Sequence, residues 1–246
     1  TGIRPRSARS VADKPALTPI WHPSPNFGAR RDGALPDMVM LHYTAMPSTR
    51  AALDWLCNPE AEVSAHYLVG RCGTVWQMVR EADRAWHAGA GAWGTADDVN
   101  SRSVGIEISN DGSEPFGAPQ MAAVEALLRG IMARWAIPPQ RVVAHSDTAI
   151  GRKIDPGARF DWRALARQGL AVWPQPGAAP GDFAASARRF GYVWDETGPD
   201  PDLDPVLTAF RLRFRPWARG ALSDADRSAM ADLAARYPVD TQALLV

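Results

Sequence analysis

Short apolar runs and apolar residues at helical spacing alternate along this chain, which predicts strands and helices in turn. Three runs have the length and composition of buried strands: residues 38–43, 103–109 and 141–145. In the second run, Val104, Ile106 and Ile108 share one face, because side chains alternate along a strand. Glu107 therefore points to the opposite face, although it lies between two isoleucines.

The segments around these runs predict helices and a hairpin. Ser48 or Thr49 can cap a helix that ends before Asn58-Pro59, and a longer helix begins at Pro119. A glycine-containing turn between residues 65–69 and 74–78 predicts a hairpin. A short last helix of the pattern is predicted near residues 161–168. The order of elements predicts an α/β fold with a mixed central sheet flanked by helices.

Composition divides the chain into four parts. Residues 1–36 are rich in Pro, Arg, Ser and Gly and predict an extended N-terminal arm, and residues 37–172 hold the α/β domain. Residues 173–181 have the Pro/Gly composition of a linker. Residues 182–246 lack strand patterns and predict a small three-helix domain, with helices at 183–190, 204–214 and 224–236.

The charge balance bears on the class of partner. The chain has 27 basic and 27 acidic residues, and a neutral balance gives no support to a nucleic-acid or anionic-membrane partner. No stretch approaches the ~20 apolar residues of a membrane span. Cys57 and Cys72 form no C-x-x-C pair and are interpreted as two small buried thiols, although their pairing stays open.

A candidate metal site comes from residues that are far apart in the chain. His42 and His145 end two of the predicted strands, and Asp155 follows ten residues after His145. Two imidazoles and a carboxylate leave the fourth tetrahedral position of Zn²⁺ open, which is typical of a hydrolytic zinc site. A carboxylate in an apolar strand is costly unless it is functional, so Glu107 is a candidate general base. Lys153 would place an ammonium group beside the same site.

Six motifs in order resemble a known family: Leu41-His42-Tyr43-Thr44, Ser64-Ala65-His66-Tyr67, Trp86-His87-Ala88-Gly89, residues 100–107, Ala144-His145-Ser146-Asp147 and residues 152–157. Over about residues 36–170 the chain resembles the AmiD- and AmpD-like zinc N-acetylmuramoyl-L-alanine amidases of the type-2 group, relatives of phage T7 lysozyme and of the peptidoglycan recognition proteins. Residues 210–216 are similar to a run in the three-helix peptidoglycan-binding domain attached to some members.

The resemblance implies a role for each matching residue. His42, His145 and Asp155 would bind Zn²⁺, Glu107 would be the general base, and Lys153 would stabilise the developing oxyanion. The reaction would be hydrolysis of the amide bond between N-acetylmuramic acid and L-alanine in peptidoglycan or muropeptides. Four further positions are expected to contact the substrate: Trp86, His87, Asn100 and Arg102.

Several alternatives stay open at this point. The substrate could be ordinary or 1,6-anhydro-muropeptides. The alternatives to an enzyme are a non-catalytic peptidoglycan-recognition protein and a structural wall anchor. The C-terminal domain and the Pro-rich arm favour a periplasmic or cell-envelope location, and an outer-membrane lipid anchor preceding Thr1 is left open. A monomer is expected. Deletion of residues 174–246 is expected to spare the cleavage of soluble muropeptides and to weaken binding to intact sacculi.

Overall fold

The centre of the fold is a six-stranded mixed sheet. The structure, a computed structural model, describes residues 17–195 and 202–239. Within these residues the strands are β1 (Ile20–Trp21), β2 (Phe27–Gly28), β3 (Met38–Tyr43), β4 (Tyr67–Val69), β5 (Val75–Gln77), β6 (Arg84–Ala85), β7 (Ser103–Ile108) and β8 (Val142–Ala144). The sheet runs in the order β1-β5-β4-β7-β3-β8, and β2 pairs separately with β6.

Most neighbouring strands of the sheet are parallel. Strand β3 lies between β7 and β8 and is parallel to both, and β4 is parallel to β7. Strands β4 and β5 form the predicted antiparallel hairpin. The carboxyl ends of β3, β7 and β8 therefore meet at one edge of the sheet, which is where ligand sites of parallel sheets usually lie.

Helices cover both faces of this sheet. Within the described residues they are α1 (Thr49–Leu56), α2 (Val99–Arg102), α3 (Ala118–Trp135), α4 (His145–Thr148), α5 (Trp162–Arg167), α6 (Phe183–Phe190), α7 (Asp204–Phe214) and α8 (Asp224–Arg236). The Ser48 hydroxyl caps α1 by accepting from the backbone N–H of Ala51 at 3.1 Å, as its position before the apolar pattern predicts. The predicted α/β fold with a mixed sheet is confirmed.

The two faces of the sheet pack against different helices. Val39 and Leu41 belong to a core that includes the apolar side of α3. Met38 and Met40 point the other way and join a second core, which includes residues of the last three helices: Phe183, Phe190, Phe210, Phe214, Met230 and Leu233. Helices α6, α7 and α8 therefore share a core with the sheet, although composition alone separates them by a linker.

The segment before the sheet is anchored by a buried arginine. Arg30 donates to the backbone carbonyls of Glu81, Asn100, Ser101 and Ser103. Strand β1 extends the sheet edge by pairing with β5. Residues 1–16 of the predicted arm lie outside the described residues.

Two further sequence interpretations can be compared with the structure. Cys57 is half-buried and Cys72 is exposed, and neither is in a disulfide, so the interpretation of two buried thiols is wrong for Cys72, which lies in the turn of the hairpin. In the described part of the chain, no helix combines the length and the apolar character needed to cross a bilayer.

Candidate metal centre

Parallel strand pairing and the loop after α4 together bring the three predicted ligands to one point. Leu41 of β3 is paired with Ala144 of β8, so His42 and His145, which follow them, lie side by side at the end of the sheet. His145 is also the first residue of α4. The loop after α4 returns to this point, and the backbone N–H of Ser146 donates to the carbonyl of Asp155 at 3.0 Å.

The ligand atoms form a nearly regular triangle. The Nδ1 atoms of His42 and His145 are 3.0 Å apart, and each lies 3.0 Å from Oδ2 of Asp155. Tetrahedral zinc with ligand distances of 2.0–2.1 Å requires separations between its ligand atoms of about 3.3 Å. Among the described residues this is the group of His, Cys, Asp or Glu side chains that could hold a metal ion. The donor set and its spacing fit zinc.

The surroundings of His42 and Asp155 put these two side chains in the protonation states that a metal needs. Burial and, to a lesser extent, the neighbouring His145 lower the pKa of His42 to about 4, against an opposing effect of Asp155. For Asp155, burial acts to raise the pKa, but its close contacts with His145 and His42 hold it well below its usual range. At neutral pH, His42 is therefore neutral and Asp155 is charged, as metal ligands must be.

Glu107 lies next to the ligand triangle. It is the residue of β7 paired with His42 of β3. Its Oε2 atom is buried without a hydrogen-bond partner. Burial raises the pKa of Glu107 to about 8, and the charge of Asp155 adds to this effect while Lys153 opposes it. A carboxylate with a raised pKa near a reacting centre is suited to accept and return a proton near neutrality.

One cavity of about 350 Å³ contains the ligands and both predicted catalytic residues. Lys153 is exposed and lies among its lining residues. The lining also includes apolar side chains near the mouth: Met46, Trp55, Val63, Trp86 and Ile154. Trp55 is 48% exposed and Ile154 is 58% exposed, so the site offers an apolar surface beside its polar centre.

The four predicted substrate contacts do not all reach this cavity. Trp86 and His87 line it, whereas Asn100 and Arg102 do not. Asn100 is buried, and its side-chain oxygen accepts from the backbone N–H groups of His87 and Ala88. Arg102 forms an ion pair with Asp37. The side chains of Asn100 and Arg102 are therefore used to hold the protein frame.

The segment of residues 84–102 contains regular structure of its own. It contains β6 and α2, and Trp93 is joined to Ala96 by a β-bridge. Trp93 is only 1% exposed and packs edge-on against Phe190 and Tyr192 of the C-terminal segment. Trp93 is therefore a packing residue.

Sequence reasoning missed the residues that support the ligands. Gly105 lies inside β7, and a glycine within a strand often marks a close approach by another group. That signal was available in the sequence. The buried ion pair between Asp147 and Arg213 had no such signal, because 66 residues separate the partners.

Comparison with known proteins places these residues in context. The sequence profile of the family described as N-acetylmuramoyl-L-alanine amidase matches residues 32–158. N-acetylmuramoyl-L-alanine amidase AmiD of Escherichia coli strain K12 is 35% identical over 232 residues, which cover 79% of this chain and 80% of AmiD. The 1,6-anhydro-N-acetylmuramyl-L-alanine amidase AmpD of Haemophilus influenzae is 32% identical over 157 residues, which cover 56% of this chain and 85% of AmpD.

Solved structures share the fold over most of the chain. E. coli AmiD in complex with anhydro-N-acetylmuramic acid-L-Ala-D-gamma-Glu-L-Lys aligns with a TM-score of 0.74 and 32% identity, over 84% of this chain and 92% of that one. AmpDh3 from Pseudomonas aeruginosa in complex with anhydromuramic pentapeptide aligns with a TM-score of 0.75 and 27% identity, over 97% of this chain and 99% of that one. The second alignment is long enough to include the C-terminal helices.

Proposed function

Because this chain belongs to the N-acetylmuramoyl-L-alanine amidase family, we propose that His42, His145 and Asp155 hold a zinc ion in its active site. The enzyme hydrolyses the amide bond between N-acetylmuramic acid and L-alanine of peptidoglycan or muropeptides. The observation that carries the assignment of residues is the triangle of ligand atoms, 3.0 Å on each side, with Glu107 paired to His42 on the adjacent strand.

The chain's own residues divide the chemistry between them. Zinc, when bound, would lower the pKa of a water molecule and polarise the scissile carbonyl. Glu107 accepts the proton of the attacking water and later gives it to the amino group of the leaving L-alanine. The ammonium group of Lys153 stabilises the negative charge that develops on the carbonyl oxygen. The apolar part of the cavity lining offers a surface on which the substrate can pack.

The proposed substrate range includes both forms of muramic acid. The solved complexes of AmiD and AmpDh3 contain anhydromuramic peptides, which supports acceptance of the 1,6-anhydro form. The AmiD relative carries the general amidase name without that restriction, which supports acceptance of the ordinary form. The presence of Glu107 and Lys153 in the cavity favours an enzyme over a recognition protein without catalysis.

We also propose that the enzyme works in the cell envelope, where its polymeric substrate lies. The resemblance of residues 210–216 to a peptidoglycan-binding run supports this location. A contribution of the C-terminal helices to wall binding, a lipid anchor and a monomeric state stay predictions. These predictions concern where the enzyme meets its substrate and not the chemistry of the site.

Mass spectrometry of a muropeptide digest tests the proposed function. Zinc-loaded wild type should release stem peptides that begin at L-alanine from both ordinary and anhydro-muropeptides. Glu107→Ala should bind zinc and release none. Chelation of the metal should abolish release, and added zinc should restore it. Absence of cleavage by the zinc-loaded wild type would contradict the enzyme, and equal cleavage by Glu107→Ala would contradict the role of Glu107.

A further inference from the structure

Both histidines of the proposed metal site present Nδ1 to the ligand triangle, so each neutral ring can bind a metal there only with its proton on Nε2. His42 Nε2 lies 3.0 Å from Nδ1 of His87. His145 Nε2 lies 3.0 Å from the carbonyl oxygen of Ala88. Two consecutive residues of one loop therefore receive the outer N–H groups of both ligands.

The tautomer of His87 follows from its other partner. The hydroxyl of Ser103 donates to the carbonyl oxygen of Val99 at 2.6 Å. Because that hydroxyl has one proton, the longer contact of 3.2 Å between Ser103 Oγ and His87 Nε2 is an N–H of His87 donating to the oxygen. Nδ1 of His87 is then unprotonated and accepts from the Nε2–H of His42. The hydrogen bonds that begin at the carbonyl of Val99 thus fix the proton on Nε2 of His87 and, through His87, the proton on Nε2 of His42.

Asn100 and Gly105 hold this arrangement in place. The side-chain oxygen of Asn100 accepts from the backbone N–H of His87 at 3.0 Å and from that of Ala88 at 2.9 Å. A Cβ atom at position 105 would lie 2.5 Å from Cγ of His87, so only glycine lets the ring lie against β7. All of these contacts are made by the protein itself, before any substrate is bound.

We propose that the pair His87–Ala88, hereafter the orienting pair, fixes both metal-binding imidazoles in the tautomer that offers Nδ1 to the metal. The proposal rests on the proposed function, because it requires a metal at His42, His145 and Asp155. His87 is then a positioning residue that acts through His42, and Asn100 acts through the orienting pair. These roles replace the substrate contacts expected from the sequence for His87 and Asn100.

The first test measures zinc affinity of the full-length protein without substrate, by competition with a chromophoric chelator. Loss of such outer partners typically weakens metal binding 10–100-fold, so His87→Ala should raise the Kd for zinc by about that factor. His87→Gln should stay within about threefold of wild type, because its amide oxygen can accept from His42 while its NH₂ group donates to Ser103. Gly105→Ala, which displaces the ring of His87, should resemble His87→Ala. His22→Ala, outside the site, should bind zinc like wild type.

A second measurement needs no variant. Long-range ¹H–¹⁵N correlation spectra of zinc-free wild type should show the Nε2–H tautomer for His42, His87 and His145. An Nδ1–H tautomer at His42 would overturn the orienting role, whether or not the variants fold.

The outcomes separate the orienting role from the metal site itself. Equal zinc affinity of wild type and His87→Ala would overturn the orienting role and leave the metal site intact. A raised KM of His87→Ala with unchanged zinc affinity would also overturn it and return His87 to the substrate. Equally weak zinc binding by His87→Gln and His87→Ala would show that a hydrogen-bond acceptor for the Nε2–H of His42 does not determine zinc affinity, and would overturn the orienting role. Absence of zinc binding by wild type would overturn the metal site, and the orienting role with it.

Discussion

Glu107 has an environment that differs from that of a surface carboxylate in two ways. Burial raises its pKa to about 8, and one of its oxygens has no hydrogen-bond partner. In zinc-free protein the folded state therefore keeps a proton that the unfolded state releases above its ordinary pKa of 4.5. The free energy of unfolding should fall as the pH rises from about 4.5 to about 8, because the folded state binds more protons over that range.

Glu107→Gln should remove this pH dependence. In zinc-free protein at pH 8, we expect the variant to be more stable than wild type by roughly 1–3 kcal/mol, and the difference should vanish near pH 5. Urea denaturation at several pH values measures it. Glu60→Gln, at an exposed position, is the control and should show no such trend. Zinc should reduce the difference, because a bound cation stabilises the charged form of Glu107.

Lys153 offers a prediction about the rate of the reaction. Its side chain is exposed at the cavity, so its replacement should leave the fold intact. Lys153→Ala should lower kcat by about 10²–10³, as the loss of an oxyanion donor does, with a smaller effect on KM. Arg152→Ala removes the adjacent positive charge, whose guanidinium donates to the carbonyl of Ala90, and should cost only a few-fold. Similar losses of kcat in both variants would show that Lys153 acts through a general electrostatic effect and not as an oxyanion donor.

At the scale of secondary-structure elements, local patterns predicted what local forces determine. The bounds of β3, α6, α7 and α8 agree with the apolar spacing in the sequence. At the start of α8, the hydroxyl of Ser223 accepts from the N–H of Asp226, the capping arrangement that the sequence indicates. The closeness of His42 and His145 was also predictable, because the ends of adjacent parallel strands meet at one edge, whereas Asp155, in the loop after α4, was assigned through the family resemblance. Strand β6, helix α2 and the packing of Trp93 were not, since they depend on contacts with distant parts of the chain.

The contact between α6 and the loop that carries Trp93 depends on one glycine. Gly191 follows α6 with φ of 131°, and a Cβ atom there would lie 2.5 Å from Cε2 of Trp93. Gly191→Ala should therefore lower the free energy of unfolding by roughly 2–5 kcal/mol, through backbone strain and overpacking together. Gly220→Ala is the matched control, because Gly220 also has positive φ (77°) but open space around it. Its cost should be about 1–2 kcal/mol in the same urea titration. Equal losses of stability in Gly191→Ala and Gly220→Ala would mean that backbone strain alone sets the cost and that overpacking against Trp93 adds nothing.

At the scale of the whole molecule, the C-terminal helices support the part of the sheet that carries a metal ligand. Arg213 of α7 is fully buried and donates to Asp147 Oδ2 at 2.5 Å and to the carbonyl of Val142 at 2.9 Å. The same Oδ2 atom accepts from the backbone N–H of Ala144 at 2.8 Å. His145 lies between Ala144 and Asp147, at the junction of β8 and α4. Arg213 is thus connected, through Asp147, to the backbone that positions His145.

This connection changes the expectation for the C-terminal deletion. Removal of residues 174–246 would leave the carboxylate of Asp147 without its charged partner and would expose Met38, Met40 and Val143 of the sheet. We therefore expect the truncated protein to lose cleavage of soluble muropeptides as well as wall binding. In the full-length chain, Arg213→Met should lower the free energy of unfolding by roughly 3–5 kcal/mol, because it leaves a buried charge unpaired.

Urea denaturation followed by tryptophan fluorescence and by amidase activity measures this coupling. Arg219→Met, at an exposed position of the same segment, should unfold like wild type. Because one core joins the sheet to the last three helices, both signals should be lost in a single transition, shifted in Arg213→Met to lower urea. Two separate transitions, or full activity of the truncated protein, would contradict this coupling and make the C-terminal helices an independent module. A core shared by the sheet and the last three helices, and not the composition of residues 173–181, would then determine how many cooperative folding units this chain has.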